Sequence, residues 1–151
     1  MKIILALLVV TGFLFGCDTK KDTATSKGQP VIEDHKAIEE NATGLVLNNG
    51  AKWKADSTTL LNVALLHHII SGAKKETLED YLHTSTQLEA GLNKMVTECR
   101  IKGADHEALH HWLEPLIEET KELKRVSAIK NASRIFREME TQANLFPQYF
   151  E

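Results

Sequence analysis

The sequence has no surplus of positive charge: 18 Lys and Arg stand against 21 Asp and Glu, for a formal net charge of -3. The basic footprint of a nucleic-acid-binding domain is therefore missing. Cysteine and proline are scarce, at two and three residues. CxxCH does not occur, which excludes c-type haem attachment. GxSxG, Walker A, the dinucleotide glycine pattern and the EF-hand loop are also missing, and with them the common signatures of acyl transfer, nucleotide binding and calcium binding. The longest apolar run, Ile3 to Phe15, is about thirteen residues, too short to cross a ~30 Å hydrocarbon core as a helix. What is present is an ordinary globular mixture, 42% hydrophobic and 26% charged. At 151 residues it suits one domain with one core.

Lys2 followed by that apolar run reads as the start of a secretory signal peptide. The run ends in Leu14, Phe15, Gly16 and Cys17, and here the chain resembles a bacterial lipoprotein precursor. Leu14 and Gly16 match the aliphatic and small positions of a lipobox, while Phe15 is bulkier than usual. The resemblance implies removal of residues 1-16, a diacylglyceryl group on the Cys17 thiol and acylation of the new amino group. The membrane would then be a partner through the lipid anchor, and the body would sit in the cell envelope, facing the periplasm or exposed at the surface. Each buried CH₂ contributes ~0.8 kcal/mol, enough with several chains to hold a protein at a bilayer. Asp18 favours the inner membrane by enterobacterial rules, whereas Lys20, Lys21 and Asp22 resemble the charged tracts of surface lipoproteins; the leaflet stays open. Cys99 is then the one thiol left in an oxidising compartment, where it is buried, metal-bound or a liability.

From Asp18 to Pro30 the residues are small and polar, with too little apolar surface to offset the entropy of ordering, and residues 17-43 are expected to form a tether and a weakly structured acidic stretch. Leu45 to Leu47 then lead through Asn48, Asn49 and Gly50 to Lys52, Trp53 and Lys54. Asn-Gly is the favoured pair for a type I′ turn, so a short hairpin is expected, leaning on the helices through Trp53. The stretch LNNGAKWKAD, followed by a helical region, is similar to small uncharacterised lipoproteins of Bacteroidetes-type bacteria; that resemblance implies no activity and transfers no functional residue.

After Asp56 the apolar residues recur with a helical period. Leu60, Val63, Ala64, Leu66, His67 and Ile70 gather on one side of a first helix, and Leu61, Leu65 and Ile69 extend its apolar girth, so it is expected to be the most buried. Gly72 ends it. A second helix, about Glu76 to Ile101, carries Leu78, Tyr81, Leu82, Ser85, Leu88, Leu92, Met95, Val96 and Cys99 on one arc. Gly103 stops it, and Asp105 is the expected cap of a third helix carrying Leu109, Trp112, Leu113, Leu116, Ile117, Thr120 and Leu123. Pro115 should kink or break that helix. The later set Ile129, Ala132, Ile135, Phe136 and Met139 lies about 140° away on the same wheel, which places a turn near Arg125 to Ser127 and makes Ser127 the cap of a fourth helix. The expected architecture over residues 44-151 is all-α: an up-down-up-down four-helix bundle preceded by the hairpin.

Counting outward from Gly103, equal heights on an antiparallel pair bring Cys99 to His106 and Met95 to His110. His106 and His110, at i and i+4, share one side of a helix and can chelate one ion. Thiolate, thioether and imidazole together favour Cu(I), or Zn if only Cys and His bind. The bland reading is that Cys and Met are core residues and the histidines a half-exposed helix edge. His67 would stand level with Tyr81, ~27 Å along the helix from Cys99, and is excluded as a ligand. A b-type haem on Met95 and His110 would need a wide gap between tightly linked helices. The string HEALH matches HExxH, in which His106 and His110 would hold zinc and Glu107 act as base, with Glu138 or Glu140 as a third ligand. It stands in a small helical chain without the accompanying sheet, and Pro115 follows closely. The sequence therefore points to a non-catalytic, lipid-anchored envelope module with a protein or small-ligand partner; the alternative is a transition-metal-binding bundle using His106, His110 and Cys99, with Met95 as a further candidate.

Overall fold

A computed structural model describes residues 44-151, all within one compact unit. Cys17, the leader, the tether and His35 lie outside the described residues. Four helices share one core: α1 Ser57–Ser71, α2 Leu78–Glu98, α3 Ala104–Leu123 and α4 Ile129–Ala143, followed by a short α5, Phe146–Tyr149. The interior is made by Leu66, Leu88, Met95, Leu109, Trp112, Leu116, Leu123, Ile135, Phe136 and Met139, each at most 2% exposed. These are the positions that a 3.6-residue period places on the inner faces of α1 to α4.

Local signals start and stop the helices. The Asp56 carboxylate accepts the Thr59 N–H at 2.7 Å and caps α1. This bond holds the carboxyl below the usual carboxylate range. Thr77 and Asp80 form a reciprocal capping box on α2: the Asp80 N–H donates to Thr77 Oγ1 and the Thr77 N–H donates to Asp80 Oδ2. Gly103 has φ +67 and is the N-cap of α3, a backbone conformation that disfavours any residue with a Cβ.

Several expectations are corrected. Helix α3 begins at Ala104, ahead of Asp105, because Gly103 makes the turn; the Asp105 carboxylate instead accepts the Lys54 N–H at 3.0 Å. Helix α4 is capped by extended Ala128, not Ser127, with no side-chain bond. Helix α3 runs unbroken past Pro115. Cys99 is not inside its helix: it is the C-cap of α2, with extended backbone. Nor is α1 the most buried helix, since Leu60, Leu61 and Leu65 are 43%, 72% and 37% exposed. The reason is position: α1 packs mainly on α2 and touches α4 only slightly, so one flank is left uncovered by the other described helices. Thr59 and Asn62 occupy its buried face beside Val63, Leu66 and Ile70. Gly91 lets α2 approach there, because a Cβ on it would stand 2.9 Å from Leu66 Cδ2.

At the N-terminal side Asn49 and Gly50 both have positive φ, and the Asn48 and Ala51 N–H groups donate to each other's carbonyls at 2.9 Å. The pairing between them is a single bridge, and no regular strand follows among the described residues. The chain pairs instead with its own end: the Trp53 N–H donates to the Tyr149 carbonyl at 2.8 Å, the Glu151 N–H to Trp53 at 3.0 Å and the Ala55 N–H to Glu151 at 2.9 Å. Half-buried Trp53 donates its indole N–H to the Val46 carbonyl at 2.7 Å and packs against the core. Residues 45-55 and 146-151 thereby close one end of the helical body.

Candidate functional site

Helices α2 and α3 are joined by the short link 99-103, so the end of one lies beside the start of the other. Between them opens a cleft of about 440 Å³ whose walls include Val96, Leu109, Leu113 and Ile117, with Cys99, His106 and His110 at one end. Helical spacing puts His106, His110, Leu113 and Ile117 on one line along α3. Leu109 and Leu113 are buried and form an apolar floor, while Val96 is 53% exposed on the opposing wall. Glu114 and Glu118 stand at the rim. The cleft thus offers apolar walls and a few polar groups at its edge, the usual chemistry of a small-ligand site.

The polar groups are connected. Cys99 Sγ lies 3.5 Å from His106 Nδ1. The two imidazoles face each other through Nε2 atoms 3.1 Å apart, their rings edge-on with centroids separated by 4.6 Å. His110 Nδ1 is 3.1 Å from a Glu114 carboxylate oxygen. One assignment of protons satisfies every atom: the Cys99 thiol donates to His106 Nδ1, His106 Nε2–H donates to His110 Nε2, and His110 Nδ1–H donates to Glu114. His106 is half-buried and His110 exposed, so the chain runs from the cleft interior to solvent.

The candidate residues separate in an informative way. Cys99, His106 and His110 come together, with Cys99 and His106 at the same level as counting from Gly103 required. Met95 does not join them: it is 1% exposed, in the core, and does not line the cleft. Cys99 meets the Nδ1 edge of His106, away from the edge turned to His110, and among the described residues no group of three or more His, Cys, Asp or Glu side chains converges as a metal site. Glu107 of the HEALH string is exposed and lines a different hollow with Ala104, His111, Val46 and Trp53. His68, His83 and His111 are exposed and His67 is half-buried.

A second titratable feature escaped the pattern reading. Between α3 and α4, Pro115, Glu119, Arg134, Arg137, Glu138, Thr141 and Gln142 line another hollow. Glu119 Oε2 is buried there with no hydrogen-bond partner among the described residues. Burial, reinforced by the neighbouring charges of Glu138 and Glu122, pushes its carboxyl up to about 7. Arg134 does not neutralise it, because that guanidinium is engaged by Glu138 at 2.6 Å and Glu122 at 3.0 Å. The signal was available: Glu119 falls on the same helical line as Trp112, Leu116 and Leu123, an acid placed on an apolar stripe.

No helix among the described residues is long and apolar enough to cross a membrane. No family model, curated protein or solved structure matches the chain.

Proposed function

We propose that this chain is a lipid-anchored cell-envelope binding module, moored through Cys17, whose body is an up-down-up-down four-helix bundle and whose ligand seats in the cleft between α2 and α3. The observation that carries the reading is the cleft itself: Val96, Leu109, Leu113 and Ile117 line it, and a connected polar chain from Cys99 to Glu114 closes one end. An apolar body is held by the walls and a polar or charged end by the imidazoles. The module acts by binding and not by turnover. Glu107 lines a different hollow from the one that His106 and His110 line.

The cleft is tested with a fluorescent amphiphile, anilinonaphthalene sulfonate, against the mature protein and Val96→Glu. Val96 is half exposed, so the substitution leaves the core intact. Saturable enhancement in the wild type, lost in Val96→Glu, supports the cleft as the seat. Equal binding by both proteins, or none by either, contradicts it.

A further inference from the structure

We infer that His106 and His110 chelate one late first-row transition-metal ion at the end of this cleft, through their two Nε2 atoms, with Cys99 and Glu114 supporting the rings from outside. This names the class of ligand at the proposed binding cleft and rests on that reading of it.

The distance is the first support. A metal bound by imidazole at about 2.0-2.1 Å holds two tetrahedral nitrogens about 3.3 Å apart, and two at a right angle about 2.9 Å apart. The Nε2 atoms stand 3.1 Å apart, between these values, without any movement of the backbone. The i and i+4 positions on one rigid helix fix that spacing.

The outer contacts are the second support. A ligating imidazole is oriented by a partner on its other nitrogen, commonly a carboxylate. Both rings have one: Glu114 at Nδ1 of His110, and Cys99 at Nδ1 of His106. With Nδ1–H directed to these acceptors, both Nε2 lone pairs point into the same gap. Two lone pairs at that separation repel unless a proton or a cation lies between them. Without an ion the His106 proton sits on Nε2 and bridges the gap; when an ion enters, that proton moves to Nδ1 and the Cys99 thiol turns from donor to acceptor, so ring and sulfur each keep their proton.

Donor chemistry sets the class. Two neutral imidazoles favour Zn(II), Cu(II) or Ni(II) over Mg(II) or Ca(II), which take oxygen ligands. The sulfur of Cys99 stands on the far edge of the His106 ring, so it is an outer partner and not a ligand. Met95 is in the core and takes no part. With only two protein ligands the ion keeps open positions toward the cleft, for water or for a carboxylate or other donor on the seated molecule. An anionic head bound to the ion and an apolar body along Leu109, Leu113 and Ile117 would suit the cleft as a whole.

The test uses untagged mature protein titrated with Zn(II) by calorimetry and with Co(II) by absorption, with no organic ligand present. The expected result is one ion per chain. His110→Ala should lower the affinity at least about a hundredfold and Glu114→Gln roughly tenfold, since outer partners of metal-bound histidines contribute about that much. Cys99→Ser should cost less than the Glu114 change, because the serine hydroxyl can still accept from His106 Nδ1, and the Co(II) complex should lack a thiolate-to-cobalt charge-transfer band. His110→Gln, checked for native helicity, guards against a folding artefact in the alanine variant. No uptake by the wild type, equal uptake by the His110 variants, or a charge-transfer band lost in Cys99→Ser would each overturn the inference. The amphiphile experiment, run without metal, fails or succeeds separately.

Discussion

Trp112 of α3 and Gln142 of α4 bind each other twice: the indole N–H donates to the Gln142 carbonyl at 2.9 Å, and the Gln142 amide donates to the Trp112 carbonyl at 2.7 Å. Both residues are buried, at 0% and 5% exposure. The two hydrogen bonds fix how α3 lies on α4, and α3 carries most of the cleft. Phe146 meets the Trp112 ring edge-on, with centroids 4.9 Å apart, and stacks on Phe150. The C-terminal segment is thereby packed into the same joint.

Gln142→Leu should lower stability by about 1-3 kcal/mol, because it removes a buried hydrogen bond and leaves the Trp112 carbonyl without that donor. Trp112→Phe should cost a similar amount or more, adding lost packing to the lost indole bond. Chemical denaturation of each variant measures its own bond, since each side chain bonds the other residue's backbone carbonyl. Either variant as stable as the wild type would contradict that bond.

Glu119 gives the protein a definite pH dependence. Its folded value, about 7, lies above that of an unfolded glutamate, so the native state holds the proton more tightly between roughly pH 4.3 and 7. Its burial therefore costs little below that window, and stability falls as pH rises through it. After allowance for solvent screening at this partly exposed residue, the loss is on the order of 1-2 kcal/mol. Glu119→Gln should match the wild type near pH 4.5 and exceed it at pH 8, measured by urea unfolding at the two pH values. Parallel pH profiles for the two proteins would refute the assignment.

Asp56 acts in the opposite sense. The Thr59 N–H holds its carboxyl below the ordinary range, so the cap contributes above the unfolded value and is lost as pH falls through the folded one. Asp56→Ala should cost about 1 kcal/mol at neutral pH, with the difference shrinking in acid. A pH-independent difference in melting would show that the carboxylate charge is not what caps α1.

The proposed function makes Cys17 the anchor. Intact mass spectrometry of the native product should find residues 1-16 removed and acyl groups at Cys17, while Cys17→Ser should release the protein from the membrane fraction. An unmodified thiol on an uncleaved chain would remove both the anchor and the envelope setting.

Much of the helical layout was legible because its signals are local. Asp56 and Gly103 mark helix boundaries by their own chemistry, while Gly72 ends α1 with φ -85, a conformation open to any residue; the apolar arcs of α2 and α3 point to the core. The contact of Cys99 with His106 followed from counting outward from Gly103, since a short link forces the two helix ends together. Met95, the next rung of that count, lies in the core, while His110 turns to His106 and Glu114, because residues of one helix can satisfy each other without the facing helix. The exposed flank of α1 was illegible for a different reason. An apolar helix surface states a capacity for burial, but the number of neighbours that α1 meets depends on tertiary packing. The pairing of Trp53 with the C-terminal residues joins positions remote in sequence, which no local period encodes.

The proposed ligand seat lies where α2 and α3 part. Amide chemical-shift mapping of the labelled mature domain against a panel of amphiphilic anions, with and without Zn(II), tests it most directly. The expected shifts cluster on Val96, Cys99, His106, Leu109, His110 and Ile117 and disappear in Val96→Glu. Shifts confined to the α3/α4 hollow around Glu119, or to the exposed flank of α1, would place binding elsewhere and contradict the account.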